Sequence, residues 1–265
     1  MGTVRIRDVE LAYEIHGSGE PLVLLHGAQS DRTIFTNVLS DFMRDFRVLI
    51  FDQRGSGQSS KPDMEYTIAM IADDTAALMV ELGFSPAHVY GVSMGGMIAQ
   101  ELAIRHEALV RSLVLGCTTP GGDRAVTMVN EAIGSSHSTE ALSAEERGGA
   151  LARTAFTKSY IDQHPELIPA LIKSRREQPL DEKGFERRMN AAYAHDTYER
   201  LSDISCPTLV ITGENDALIA AENSDLLAQK IPHAVLVKLE PAGHAYWVEQ
   251  PEQTKEAILR FLLES

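Results

Sequence analysis

Around Arg7-Asp8, apolar side chains recur at every second position: Val4 and Ile6 before the pair, then Val9, Leu11, Tyr13 and Ile15 after it. That period belongs to half-buried strands, and it predicts an antiparallel hairpin over residues 3–6 and 9–15 at a sheet edge. The alternation then stops. After the turn Gly17-Ser18-Gly19-Glu20-Pro21, the run Leu22-Val23-Leu24-Leu25 is apolar throughout, as expected of a strand buried on both faces. Comparable runs at 48–51, 88–90, 113–115, 208–211 and 235–239 predict further strands. Helical periodicity lies between them, over 33–43, 67–82, 94–104, 221–230 and 251–263. Strands alternating with helices predict an α/β fold, a mostly parallel eight-stranded sheet with helices on both faces.

Residues 119–205 break this rhythm. They hold no convincing strand run, and helical stretches over 124–133, 144–157, 166–177 and 182–195 are separated by Gly134-Ser135-Ser136, Pro165 and Pro179. An insertion at the carboxyl side of a parallel sheet overlies the crevice where ligands bind in such folds. The chain is therefore expected to divide into a core of residues 1–118 and 206–265 and a helical lid of residues 119–205.

Composition narrows the partners. The 265 residues are 44% hydrophobic and 23% charged, in the range of ordinary globular proteins, with a formal charge of −14. Binding to a phosphate backbone requires a concentrated basic surface, so nucleic acid is a poor partner. No apolar stretch approaches the roughly 20 residues of a membrane span, and no basic segment followed by an apolar run opens the chain. A cytoplasmic protein, monomeric or homodimeric and off the membrane, is the expectation. Cys117 and Cys206 read as small buried hydrophobes rather than a disulfide. With no metal-ligand spacing and no phosphate loop carrying a lysine, no cofactor is expected.

The chemistry concentrates in Gly91-Val92-Ser93-Met94-Gly95, directly after a strand run and directly before a helix. A chain that turns this sharply strains its central residue and crowds out side chains two positions either side, hence the glycines at 91 and 95. Ser93 would project above the sheet as a nucleophile, with the Met94 N–H facing developing negative charge. A serine nucleophile needs a base and an orienting acid. His244, in the small-residue turn Pro241-Ala242-Gly243-His244-Ala245 after the last strand, is the candidate base. Asp216, in the polar turn that follows the strand at 208–211, is the candidate acid, with Glu214 its local competitor. The turn His26-Gly27-Ala28-Gln29 offers a second oxyanion donor at the Ala28 N–H and a pocket residue in Gln29, while His26 reads as a loop-holding residue. His106, His164 and His233 read as solvated or capping histidines, and His195 in the lid reads as a surface histidine, with substrate contact as the alternative. Arg175-Arg176 and Arg187-Arg188 read as solvated helix faces, with attraction of a carboxylate-bearing substrate as the alternative.

Taken in order, the elbow at Ser93, His26-Gly27, Asp52-Gln53-Arg54-Gly55-Ser56-Gly57-Gln58-Ser59, Gly213-Glu214-Asn215-Asp216 and Gly243-His244 resemble the α/β-hydrolase superfamily over nearly the whole chain. Within it the sequence looks like the lidded serine esterase, enol-lactonase and C–C hydrolase branch. The resemblance implies a structural part for Arg54 and its neighbouring glycines, and a serine at 93 argues against the aspartate-nucleophile dehalogenases and epoxide hydrolases. The expected function is hydrolysis of a small or medium carboxylic ester or lactone through an acyl-enzyme. Cleavage of a C–C bond by the same three residues, and a non-enzymatic ligand receptor, remain as alternatives.

Overall fold

A computed structural model describes residues 1–126, 149 and 153–265. Its strands are β1 (Gly2–Ile6), β2 (Val9–His16), β3 (Glu20–Leu25), β4 (Phe46–Phe51), β5 (Ala87–Val92), β6 (Val110–Gly116), β7 (Thr208–Gly213) and β8 (Val235–Leu239). They form one eight-stranded sheet in the order β1-β2-β4-β3-β5-β6-β7-β8. The hairpin β1-β2 pairs antiparallel, β2 runs antiparallel to β4, and every pairing from β4 to β8 is parallel. Arg7, at φ 53°, makes the tight turn of the hairpin.

The uninterrupted apolar runs serve two cores. On β3, Val23 and Leu25 enter the layer formed with helices Ile68–Glu81 and Met94–Arg105, while Leu22 and Leu24 enter the opposite layer with Leu39, Ile258 and Leu262. Leu49 and Phe51 of β4 divide from Val48 and Ile50 in the same way. A strand covered on both sides has no polar face to show.

Among the described residues, the segment between β6 and β7 holds the helices Lys158–Gln163, Leu167–Glu177 and Glu182–Tyr193. Both ends of that segment are tied to the core. Gln100 donates to the Thr119 carbonyl (3.1 Å) and accepts from Thr197 Oγ1 (2.6 Å). Asn223 accepts from Thr119 Oγ1 (3.0 Å), and Gly121 bridges to Asp196.

Two expectations change. The helix expected over 33–43 is a 3-10 turn at Arg32–Phe35 followed by a short helix at Leu39–Phe42. Asp31 caps the turn by accepting from the Thr33 N–H (2.9 Å), and the β-branched Thr33, Ile34, Thr36 and Val38 disfavour a continuous helix between the two pieces. Helix Lys158–Gln163, capped by Thr157, was not anticipated; its six residues are too few for a periodic signal. The helices expected over 124–133 and 144–157 lie mainly outside the described residues. Among the described residues, no helix is long and apolar enough to cross a membrane.

Candidate active site

Parallel strands deliver their carboxyl ends to one edge, and four consecutive strands there carry Ser93 after β5, Cys117 after β6, Asp216 after β7 and His244 after β8. Ser93 sits at φ 56°, ψ −123°, outside the regions favoured by residues with a side chain. It is held there from both sides: its N–H donates to the Gly116 carbonyl (2.8 Å), and its carbonyl accepts from the Gly96 N–H (2.9 Å) and Thr118 Oγ1 (2.7 Å). A Cβ on Gly91 would strike the Gly95 carbonyl, and one on Gly95 would strike the Leu25 carbonyl. Backbone on backbone leaves neither position any side chain.

His244 Nδ1 and Asp216 Oδ2 are 2.7 Å apart, and the Asp216 side chain is fully buried. The other carboxylate oxygen, Oδ1, accepts from the Leu218 (2.8 Å) and Ile219 (2.9 Å) N–H groups, which fixes the plane of the carboxylate. Burial works against a charged imidazole, but the Asp216 charge, the Cys117 sulfur and their hydrogen bonds outweigh it, raising the His244 pKa well above 6.5. Glu214 instead pairs with Lys238 (3.4 Å). Among the described residues, Ser93 Oγ has no hydrogen-bond partner; in free enzymes such contacts often tighten only when substrate arrives.

The turn after β3 lies against the elbow: a Cβ on Gly27 would be 3.3 Å from Ser93 Cβ and 3.7 Å from its Oγ. Among the described residues neither the Ala28 nor the Met94 N–H has an acceptor. His26 braces this turn. Its Nδ1 lies 2.8 Å from the Gly27 carbonyl and its Nε2 contacts the Gln53 N–H (3.3 Å) and Ser56 Oγ (3.2 Å). Burial, aided by the Arg188 charge, lowers its pKa to about 4, so it is a neutral strut at physiological pH. In the loop that follows β4, Arg54 is buried against Asp74 (2.5 Å) and reaches Asp8 (3.1 Å), while Asp52 accepts from Arg32 and from the Gln58 N–H (2.8 Å). These residues shape the loop.

The inserted helices touch both flanks of the site. Arg175 donates to the Gln29 carbonyl (2.7 Å) on one side, and the Ala245 N–H donates to the Ala155 carbonyl (2.8 Å) on the other. Glu249 joins the two regions by accepting from the Gly243 N–H (2.7 Å) and from Thr157 Oγ1 (2.5 Å).

Several expectations for single residues are corrected. Arg188 does not lie on a solvated face: it is fully buried, donates to the Gly184 and Ser30 carbonyls (3.3 and 3.4 Å), and burial lowers its pKa to about 10. Arg187, its neighbour, does reach outward, to Asp63 and the Pro62 carbonyl. His195 is buried rather than solvated, with its pKa lowered by burial to about 4 and its Nε2 beside Thr197 Oγ1 (3.3 Å). Helix Glu182–Tyr193 lies against loops of the core, with Gly184 beside the Gly55 carbonyl and Arg188 bonded to the Ser30 carbonyl, and periodicity along the helix carries no signal for a basic residue covered by such distant partners.

Sequence reasoning passed over three supports of the His244 turn. Tyr246 and Tyr90 share a buried hydroxyl pair at 2.9 Å, which anchors the turn to β5, and Glu249 clamps Gly243. Each pairing joins residues distant in sequence. Cys117 is buried and unbridged, as a small hydrophobe would be, and it also stands beside the imidazole.

A sequence model described as the alpha/beta hydrolase family matches residues 22–257. The 3-oxoadipate enol-lactonase 2 of Acinetobacter baylyi is 27% identical over 263 residues, covering 97% of this chain and 94% of the relative. Among solved structures, the enol-lactonase of Burkholderia xenovorans superposes with a TM-score of 0.88 at 25% identity, over 99% of this chain and 100% of that one. A thermophilic esterase from Thermogutta terrifontis superposes at 0.83 with 28% identity, over 100% and 99% of the two chains. Order of strands, family match and likeness along the full length agree, and the chain belongs to the alpha/beta hydrolase family.

Proposed function

We propose that the protein hydrolyses a small or medium carboxylic ester or lactone, with Ser93 as nucleophile, His244 as general base and acid, and Asp216 as the group that orients the imidazole. The observation that carries this reading is the 2.7 Å contact between His244 Nδ1 and Asp216 Oδ2 at the sheet edge that also bears the strained Ser93 elbow. With Nδ1–H directed at the carboxylate, Nε2 is the nitrogen left to accept a proton. It takes the hydroxyl proton as Ser93 Oγ attacks the carbonyl carbon, then gives that proton to the departing alkoxide. Water attacks the acyl-enzyme by the same route in reverse, releasing the acid and restoring Ser93. The N–H groups of Ala28 and Met94 serve as oxyanion donors, each contributing a factor of about a hundred to a thousand in kcat. Gln29 lies beside them as a pocket residue.

Residues 119–205 act as a lid over this site, anchored on both flanks through Gln29 and Ala245. The names of the enol-lactonase and esterase neighbours favour an ester or lactone as substrate. Ser93→Ala, checked for folding by circular dichroism, should lose p-nitrophenyl ester hydrolysis. A folded S93A protein that turns over the ester at the wild-type rate would overturn the assignment.

A further inference from the structure

Cys117, His244 and Asp216 leave three consecutive strands and converge on one point. Each offers a ligand atom, sulfur, nitrogen and oxygen, and all three atoms lie within 4.8 Å of one another. Among the described residues, no other three His, Cys, Asp or Glu side chains meet in this way. Ester hydrolysis as derived above makes no use of the thiol. Cys117 is nonetheless held firmly in the cluster: it is fully buried at φ 40°, and its N–H donates to the Ile211 carbonyl (2.9 Å).

We propose that this cluster is a binding site for one soft divalent cation, Zn²⁺ or Cd²⁺, that takes Cys117 Sγ, His244 Nδ1 and Asp216 Oδ2 as ligands and switches off hydrolysis. A tetrahedral cation about 2.3 Å from sulfur and about 2.0–2.2 Å from nitrogen and oxygen needs ligand atoms roughly 3.3–3.8 Å apart. Cys117 Sγ lies within 4.8 Å of both other atoms, and the Nδ1 to Oδ2 contact of 2.7 Å has to open to reach that spacing. The fourth position is left for water. Mg²⁺ and Ca²⁺ require more ligands, all oxygen, and do not suit one thiolate, one imidazole and one carboxylate.

The consequence follows from which imidazole nitrogen holds the proton. Without the cation, Nδ1 carries it and Nε2 can accept from Ser93. A cation on Nδ1 displaces that proton, the neutral imidazole becomes protonated at Nε2, and the base is lost with Ser93 untouched. The thiol proton passes to solvent, so each cation bound to the neutral-imidazole form releases one proton. The inhibition rests on the function proposed above, whereas the binding itself does not.

Titration of the full chain with CdCl₂ tests binding directly, through the ultraviolet charge-transfer absorbance of a cadmium thiolate. The wild-type protein should develop this band, as should S93A and Cys206→Ser, because both keep all three ligands. Cys117→Ser should lose the band, and His244→Ala should weaken cadmium binding by about tenfold or more. In parallel, ZnCl₂ should suppress p-nitrophenyl acetate hydrolysis by wild-type protein, EDTA should restore it, and MgCl₂ at the same concentration should have no effect. Cys117→Ser should need about tenfold more zinc, or beyond, for the same inhibition. Absence of the band in wild type, its persistence in C117S, or zinc inhibition that C117S leaves unchanged would overturn the site. A normal band together with S93A protein that still hydrolyses esters would instead overturn the hydrolase reading and leave the site standing.

Discussion

Asparagine at position 216 keeps the shape of the side chain and changes what His244 meets. The Leu218 and Ile219 N–H groups, 2.8 and 2.9 Å from Oδ1, require an acceptor there, so the amide oxygen of Asp216→Asn takes that place. Its NH₂ group then stands where Oδ2 was, 2.7 Å from Nδ1. An amide N–H only donates, so Nδ1 has to accept, the ring proton moves to Nε2, and the nitrogen that should receive the Ser93 proton is already protonated. On the proposed mechanism kcat for p-nitrophenyl esters falls by about a thousand- to ten-thousand-fold, which is roughly 4–5.5 kcal/mol of barrier. KM should change little, because Asp216 lies behind the imidazole. The pH profile supplies a second signature. The base acts when neutral, so wild-type kcat/KM should rise with pH through a limb above 6.5, where Asp216 holds the imidazolium against burial. In D216N the carboxylate charge is gone while burial and the Cys117 sulfur remain, so the limb of the residual activity should move to lower pH than in wild type. Losing one charge-assisted hydrogen bond costs about 1.5–3 kcal/mol of stability, so urea unfolding must show that the variant is folded at the assay temperature. Activity within tenfold of wild type on an unmoved pH limb would refute Asp216 as the orienting group.

Other outcomes follow from the same geometry. Gly95→Ala drives a Cβ into the Leu25 carbonyl, so urea unfolding should show a loss of about 3 kcal/mol or more, and wild-type stability would contradict the close packing of elbow and β3. Ser93→Gly removes the side chain from φ 56°, ψ −123° and should stabilise the fold by about 1 kcal/mol while abolishing hydrolysis; a destabilised variant would argue against stored strain at the elbow. His26 and His195, each with a pKa lowered to about 4, stay neutral in the fold while the unfolded chain binds their protons. Their burial therefore makes stability fall as pH drops from 6.5 toward 4, by about 3 kcal/mol per histidine. Unfolding midpoints of His195→Asn should depend less steeply on pH across this window, and an unchanged slope would refute the buried neutral state. His244 contributes in the opposite sense: its stabilisation is full below 6.5 and is lost as pH rises through its raised value.

Much of this protein is readable along the chain because its signals are local. An apolar run such as Leu22-Val23-Leu24-Leu25 says that both faces are buried, and β3 is indeed shared between two cores. The candidate nucleophile, acid and base were legible for a related reason. Each stands in the turn directly after a strand, and parallel strands can end only at a common edge. The break of pattern after residue 118 likewise marked the helices between β6 and β7.

What the tertiary structure alone decided involves partners far apart in sequence. Nothing near Arg188 announces that it is buried beneath the Ser30 carbonyl, and nothing near Cys117 announces that it stands beside His244. The hydroxyl pair of Tyr90 and Tyr246 spans 156 residues. Periodicity reports which side of an element faces away from water, and a motif reports what one turn must do. Neither reports which side chains meet when the carboxyl ends of β5, β6, β7 and β8 are brought side by side, since that depends on strand order and register, which exist only once the sheet has formed.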